Sequence, residues 1–201
     1  MIHCLLDYNY KKDDYSVEQI KISKTVFSKD ELPLIRLNIW YPHFKESYFE
    51  EGTDKINSFF CDLADEFSEF ITNKLSKGIS QHIDHPYSAV MRYVPTFENE
   101  NYVSIIIDTF IYTDKGKSKI KRNAFTFDRS NGTIVLPEDI YKSFDIFMIE
   151  NFKEDRNKSN ILKLKKAFES SNFYLVPNGL VLFSDSDDNV FTKFFEKKNN
   201  I

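Results

Sequence analysis

Between Gly52 and Lys77, apolar side chains return every three or four residues: Ile56, Phe59, Phe60, Leu63, Phe67, Phe70, Ile71 and Leu75. An α-helix turns once in about 3.6 residues, so this spacing gathers them into one stripe. Asp62, Asp65, Glu66, Glu69 and Lys74 fall on the opposite side. The pattern predicts a helix over 52–77. Thr53 or Asp54 caps its start, and Gly78 ends it in the left-handed conformation. A helix with a single apolar stripe must cover that stripe, and a sheet is the expected floor.

Segments of period two supply the sheet. Val17 to Ile22 suits a strand, and Leu34 to Tyr41 puts Ile35, Leu37, Ile39 and Tyr41 on one face with Arg36 and Asn38 on the other. The two read as a hairpin around Ser28–Glu31, with Pro42 ending the second strand because it lacks an N–H. Three more strands follow: Tyr87–Phe97, interrupted at Pro95, then Tyr102–Tyr112 and Ser118–Asp128. Arg129–Gly132 is a turn whose Asn131-Gly132 pair tolerates positive φ, and Thr133–Leu136 closes the meander. Pro137 opens a helix carrying Ile140, Phe144, Phe147, Met148 and Phe152, and Ser159–Ser170 is another. A last hairpin, Phe173–Val176 with Leu180–Phe183, turns through Pro177-Asn178-Gly179, with the glycine left-handed. The expected class is α+β: a mostly antiparallel sheet with one long amphipathic helix and two shorter helices packed on it. No linker or repeat divides 1–201. We therefore expect one domain with its core at about 15–184, an N-terminal extension and a charged tail from Asp185. In that tail Val190, Phe191, Phe194 and Phe195 are candidate docking residues.

Composition narrows the functions. Apolar residues make up 41% of 201, which excludes wholesale disorder. The net charge of −4 disfavours nucleic acid as a partner, since phosphate backbones need a cationic face. No apolar run reaches the length of a membrane span, so no membrane insertion is expected. The start lacks a basic n-region, which reads as cytoplasmic for the chain as printed. Phosphate loops, Gly-rich dinucleotide fingerprints and nucleophile elbows are missing from the sequence. No catalytic residue, metal site or cofactor is expected, and the chain reads as a non-enzyme.

Several groups still invite a binding role. Trp40, Tyr41 and His43 cluster at a strand end, where aromatic rings could stack on a sugar or peptide or simply pack the core. Lys115, Lys117, Lys119 and Lys121 alternate along a strand. They form either an anion surface or an edge protected from aggregation. Asp185, Asp187, Asp188 and Asn189 have the look of the start of a calcium loop, but Val190 stands where such loops need glycine. That favours a solvated acidic turn. His82 and His85 flank Asp84 in an expected loop and read as exposed histidines. Cys61 is read as a small core residue on the buried face of the helix. A Cys4–Cys61 disulfide would require export and suitable geometry.

The order of short motifs carries a resemblance. Tyr41-Pro42 ends a strand, and Lys55-Ile56-Asn57 lies near the helix start. Tyr102-Val103-Ser104-Ile105, Phe125-Thr126-Phe127-Asp128, and Asn131-Gly132 with Leu136 follow. Asn172 to Leu175 and Gly179 to Phe183 complete the series. Over about 15–184 the chain resembles the extracytoplasmic domain of unknown function typified by the RsiV anti-sigma factor. A similar domain is appended to PdaC-type peptidoglycan deacetylases. The resemblance implies an α+β fold and a module that binds protein or cell envelope; the RsiV branch binds lysozyme. It also implies an extracytoplasmic setting. Two loops, Thr113–Ser118 and Ser184–Asn189, depart from the family's pattern. The leading expectation is a non-enzymatic, protein-binding domain, with a sensing or inhibitory role and its partner unidentified. A cell-wall polysaccharide module using Trp40 is the alternative. A hydrolase using His43, His82 or His85 is the second.

Overall fold

The computed structural model describes residues 16–45, 49–79, 83–113, 118–151, 158–184 and 191–196. Its first half is a five-stranded sheet in the order β1 (Val17–Phe27), β2 (Pro33–Phe44), β3 (Tyr87–Glu98), β4 (Tyr102–Tyr112), β5 (Ser118–Asp128). Every neighbouring pair is antiparallel except β2 and β3, which run parallel from Ile35–Tyr87 to Ile39–Met91. Parallel neighbours cannot be joined by a tight turn, so the chain must cross over. The long helix α1 (Glu50–Glu69) makes that crossing. Sequence alternation shows each strand's faces but not which strands are neighbours, so the parallel pair was not expected.

Ile56, Phe60, Ala64 and Ile71 of the helical segment are buried against Ile35, Leu37, Ile39, Met91, Val103, Ile105 and Phe127 of the sheet. The stripe lies across a largely antiparallel surface, as its spacing predicts. The helix starts at Glu50, earlier than expected, and Thr53 and Asp54 do not cap it; two acids, Glu50 and Glu51, occupy its first turn. From Phe70 to Leu75 it widens into a π turn, then closes as a 3₁₀ turn at Ser76–Gly78. Two hydroxyls bond the backbone in this stretch. Thr72 Oγ1 donates to the Ser68 carbonyl, and Ser76 Oγ to the Thr72 carbonyl. Such bonds to the carbonyl one turn back compete with the helical ladder. Gly78 does not take the left-handed conformation: among the described glycines only Gly132 has positive φ, at 71°.

The second half builds a three-stranded sheet, β6 (Phe173–Val176), β7 (Gly179–Ser184) and β8 (Phe191–Glu196). Phe194 and Phe195, read from sequence as tail residues, belong to β8. One face of this sheet, with Phe173, Leu175, Leu180, Leu182 and Phe195, packs on Tyr141, Phe147, Leu164 and Phe168. These come from α2 (Pro137–Tyr141), α3 (Phe144–Asn151) and α4 (Lys158–Glu169). The other face, with Tyr174, Val176, Val181 and Phe183, packs on Ile106, Val94 and Ala124 of the large sheet. The layers are therefore helix, sheet, sheet, helices. This explains why β4 is buried on both faces from Val103 to Asp108.

The fold is α+β, with three further differences from expectation. The single helix after Pro137 is two, broken where Lys142 has φ of 60°. Thr133–Leu136 makes one isolated bridge, Ile134 with Phe127, and no strand. Pro42 lies inside β2 and not at its end. At that level β2 pairs with β1 but has left its ladder with β3, so the missing N–H leaves no gap on the β3 side. Pro95 sits similarly at a bulge in β3.

Candidate functional site

Helix α1 crosses the large sheet diagonally. Its start lies over the upper end of β5: Gly52 is so close to the Arg129 carbonyl that a Cβ there would stand 2.0 Å from it. Phe59 then packs edge-on against Phe125 and Phe127, at 4.8 and 5.2 Å between ring centres. Asn57 holds the upper end of β2, accepting from Phe44 N at 2.7 Å and donating to Phe44 O at 3.0 Å. By its last turns the helix has reached the β1 side, where Lys24 Nζ of β1 donates to Ser68 at 3.4 Å. The diagonal leaves the lower corner of β4 and β5 uncovered.

A cleft of about 200 Å³ opens there. Leu63, Phe67, Met91 and Ile107 make its apolar floor, while Glu66, Thr109, Lys121 and Asn123 stand around it. A second hollow of about 360 Å³ involves Glu66, Glu69, Phe70, Asn73 and Lys74. Glu66 lines both, so the two hollows meet at that residue as two parts of a shallow groove along the end of the helix. Phe70 stands 42% exposed in it. Glu66 and Glu69 make the helix wall acidic, and Lys119 and Lys121 stand exposed on β5 opposite. The cleft lining holds no His, Cys or Ser. Among the described residues no group of three or more His, Cys, Asp or Glu is placed to hold a metal ion.

The side chains singled out in the sequence do not converge on this groove. Trp40 and Tyr41 are neighbours on a strand and so point to opposite faces. Tyr41 is buried under α1, its hydroxyl 4.0 Å from Cys61 Sγ, and is not available to a ligand. Burial pushes its phenol above the ordinary 10.0, and Cys61 and Asp65 push the same way. Trp40 is half-buried on the far face, with Lys21 Nζ 5.7 Å from its ring centre. His43 and His85 are both exposed. His85 precedes Tyr87, opposite Ile35 at the start of β2, and His43 stands at that strand's other end. At about 3.3 Å per residue they are roughly 30 Å apart and share no site.

Cys61 is exposed, contrary to its reading as a core residue. The buried stripe runs through Phe60 and Ala64, which on a helix lie about 100° and about 60° round from Cys61, so its thiol falls outside the stripe. Lys119 lies on β5, an edge of its sheet, as an edge-protecting lysine would. Lys115, Lys117, Asp185, Asp187, Asp188, His82 and Cys4 lie outside the described residues. The groove itself escaped the sequence reading because it depends on the helix's angle to the sheet. The one signal was Phe70, which stands at the edge of the stripe beside Glu66 and Glu69.

No family model and no curated protein matches the chain. Solved structures do. A DUF3298 family member from Bacteroides fragilis NCTC 9343 superposes with a TM-score of 0.60 at 14% identity, over 90% of each chain. The chain has the fold of the DUF3298 proteins. A second such protein, from Pseudomonas aeruginosa PAO1, gives a TM-score of 0.51 at 10% identity, over 91% of this chain and 92% of that one. At these identities the likeness concerns fold alone. No described helix is long and apolar enough to cross a membrane.

Proposed function

We propose that the chain is a non-enzymatic binding domain whose groove along the end of α1 receives a basic protein. The observation that carries this reading is the pairing of an apolar floor with an acidic helix wall and an exposed Phe70. An apolar side chain of the partner fills the space between Leu63, Phe67, Met91 and Ile107, while its cations face Glu66 and Glu69. Burying an aromatic residue in such a pocket supplies most of the affinity, and the charges steer the encounter. The lining supports binding over chemistry, since its two carboxylates, Glu66 and Glu69, and two ammoniums, Lys74 and Lys121, stand beside no His, Cys or Ser. A polysaccharide stacked on Trp40 is the weaker reading, because Lys21 already stands over that ring.

Lysozyme, the basic partner implied by the resemblance to the RsiV domain, is the probe. Calorimetric titration at near-physiological salt should show saturable binding. Glu66→Lys with Glu69→Lys should weaken it about ten-fold or more, and Phe70→Ala by a similar factor. Absence of binding, or binding indifferent to all three changes, contradicts the proposal.

A further inference from the structure

The face of the large sheet turned away from α1 is only partly covered by the small sheet, which rests on the row Val94–Ile106–Ala124. The adjoining row runs across all five strands: Lys21 opposite Trp40, then Arg92 opposite Asp108 opposite Arg122. Trp40 and Arg92 follow directly on the last parallel pair, Ile39 with Met91, which makes the row continuous. The next row places Val90 opposite Phe110 opposite Ile120, and beyond it lie Arg36 and Tyr112. Lys21 and Arg36 are exposed, Tyr112 is 39% exposed and Ile120 36%. In these rows four cations face one carboxylate, Asp108, which Arg122 grips through two hydrogen bonds of 2.7 Å.

We infer that this face binds an acidic polypeptide segment, at a place separate from the groove. Two observations choose that occupant. First, in a chain of net charge −4 these rows hold Lys21, Arg36, Arg92 and Arg122 against one carboxylate, on a surface whose arginines and aromatics are the residue types that dominate protein interfaces. Second, the aromatic rings are already capped by cations. Lys21 stands over Trp40, and the Arg92 guanidinium lies 4.5 Å from the Phe110 ring centre, with Tyr112 stacked on Phe110 at 6.2 Å. A cation held on a ring has lost part of its side-chain freedom beforehand, so a carboxylate meets donors that are already placed.

Trp40 is the chain's one tryptophan, so its emission reports on this face alone. Titration with poly-L-glutamate should give a saturable change in that emission. Lys21→Glu with Arg36→Glu should weaken binding about ten-fold or more. Lys119→Glu with Lys165→Glu alters net charge equally, away from this face, and should leave binding within about two-fold. The inference fails if poly-L-glutamate does not change the emission, or if both double variants weaken binding alike. It fails equally if chitohexaose or oligodeoxythymidylate binds as tightly under the same conditions. None of these outcomes bears on the lysozyme titration, which probes the opposite side of the sheet.

Discussion

Gly52 and Gly132 meet where the first turn of α1 touches the turn after β5. A Cβ on Gly52 would stand 2.0 Å from the Arg129 carbonyl, and Gly132 also needs its φ of 71°. Gly52→Ala should therefore cost about 1–3 kcal/mol in a denaturant titration, the usual penalty of overpacking. Only one of these glycines was legible. Asn131-Gly132 announces a tight turn locally, whereas Gly52 is required by a segment almost eighty residues away. Gly179 was read as a left-handed turn residue, yet its φ is not positive. A Cβ there would stand 1.9 Å from the Phe195 carbonyl on β8, so closeness of a neighbouring strand explains it. Tyr41 gives a prediction in pH. Its phenol is raised above 10.0 mainly by burial, so the unfolded chain ionises first. Stability should hold below that value and fall as pH rises above it, and Tyr41→Phe should flatten part of the fall.

Between elements, two polar joints matter most. Ser104 of β4 accepts from Leu175 N of β6 at 3.0 Å and shares a 2.9 Å hydrogen bond with Thr126 of β5. It ties the two sheets together inside an otherwise apolar contact. Ser104→Val keeps the shape but leaves Leu175 N–H without this acceptor, and should cost about 1–3 kcal/mol by chemical denaturation. Asp108 is buried between Arg92 and Arg122. Asp108→Ala removes the partner of the Arg122 guanidinium, whose side chain is only 11% exposed, and should cost about 3–5 kcal/mol in the same measurement. Strands were well marked by sequence because their alternation is local: β4 and β5 fall where they were read. Pairing was less visible. That β2 lies parallel to β3, and that β6 and β7 leave the main sheet to form another with β8, depends on contacts between distant segments.

Across the whole molecule, charge and shape divide along the large sheet. Its α1 side carries a groove with Glu66 and Glu69 on the helix wall, its far side a row of cations, and a net charge of −4 conceals both. The stripe of α1 was legible because burial imposes a period. The groove was not, because it arises from the helix's diagonal course from β5 to β1. Charge steering also sets a salt dependence: lysozyme binding should weaken markedly as ionic strength rises towards one molar, while the apolar contribution persists. Hydrogen exchange of the full chain with and without saturating lysozyme tests the central claim most directly. Protection confined to the end of α1 from Leu63 to Lys74, and to β4 and β5 around Ile107–Thr109 and Lys121–Asn123, is the predicted result. Protection on β1, β2 or the small sheet with those segments unchanged would contradict it.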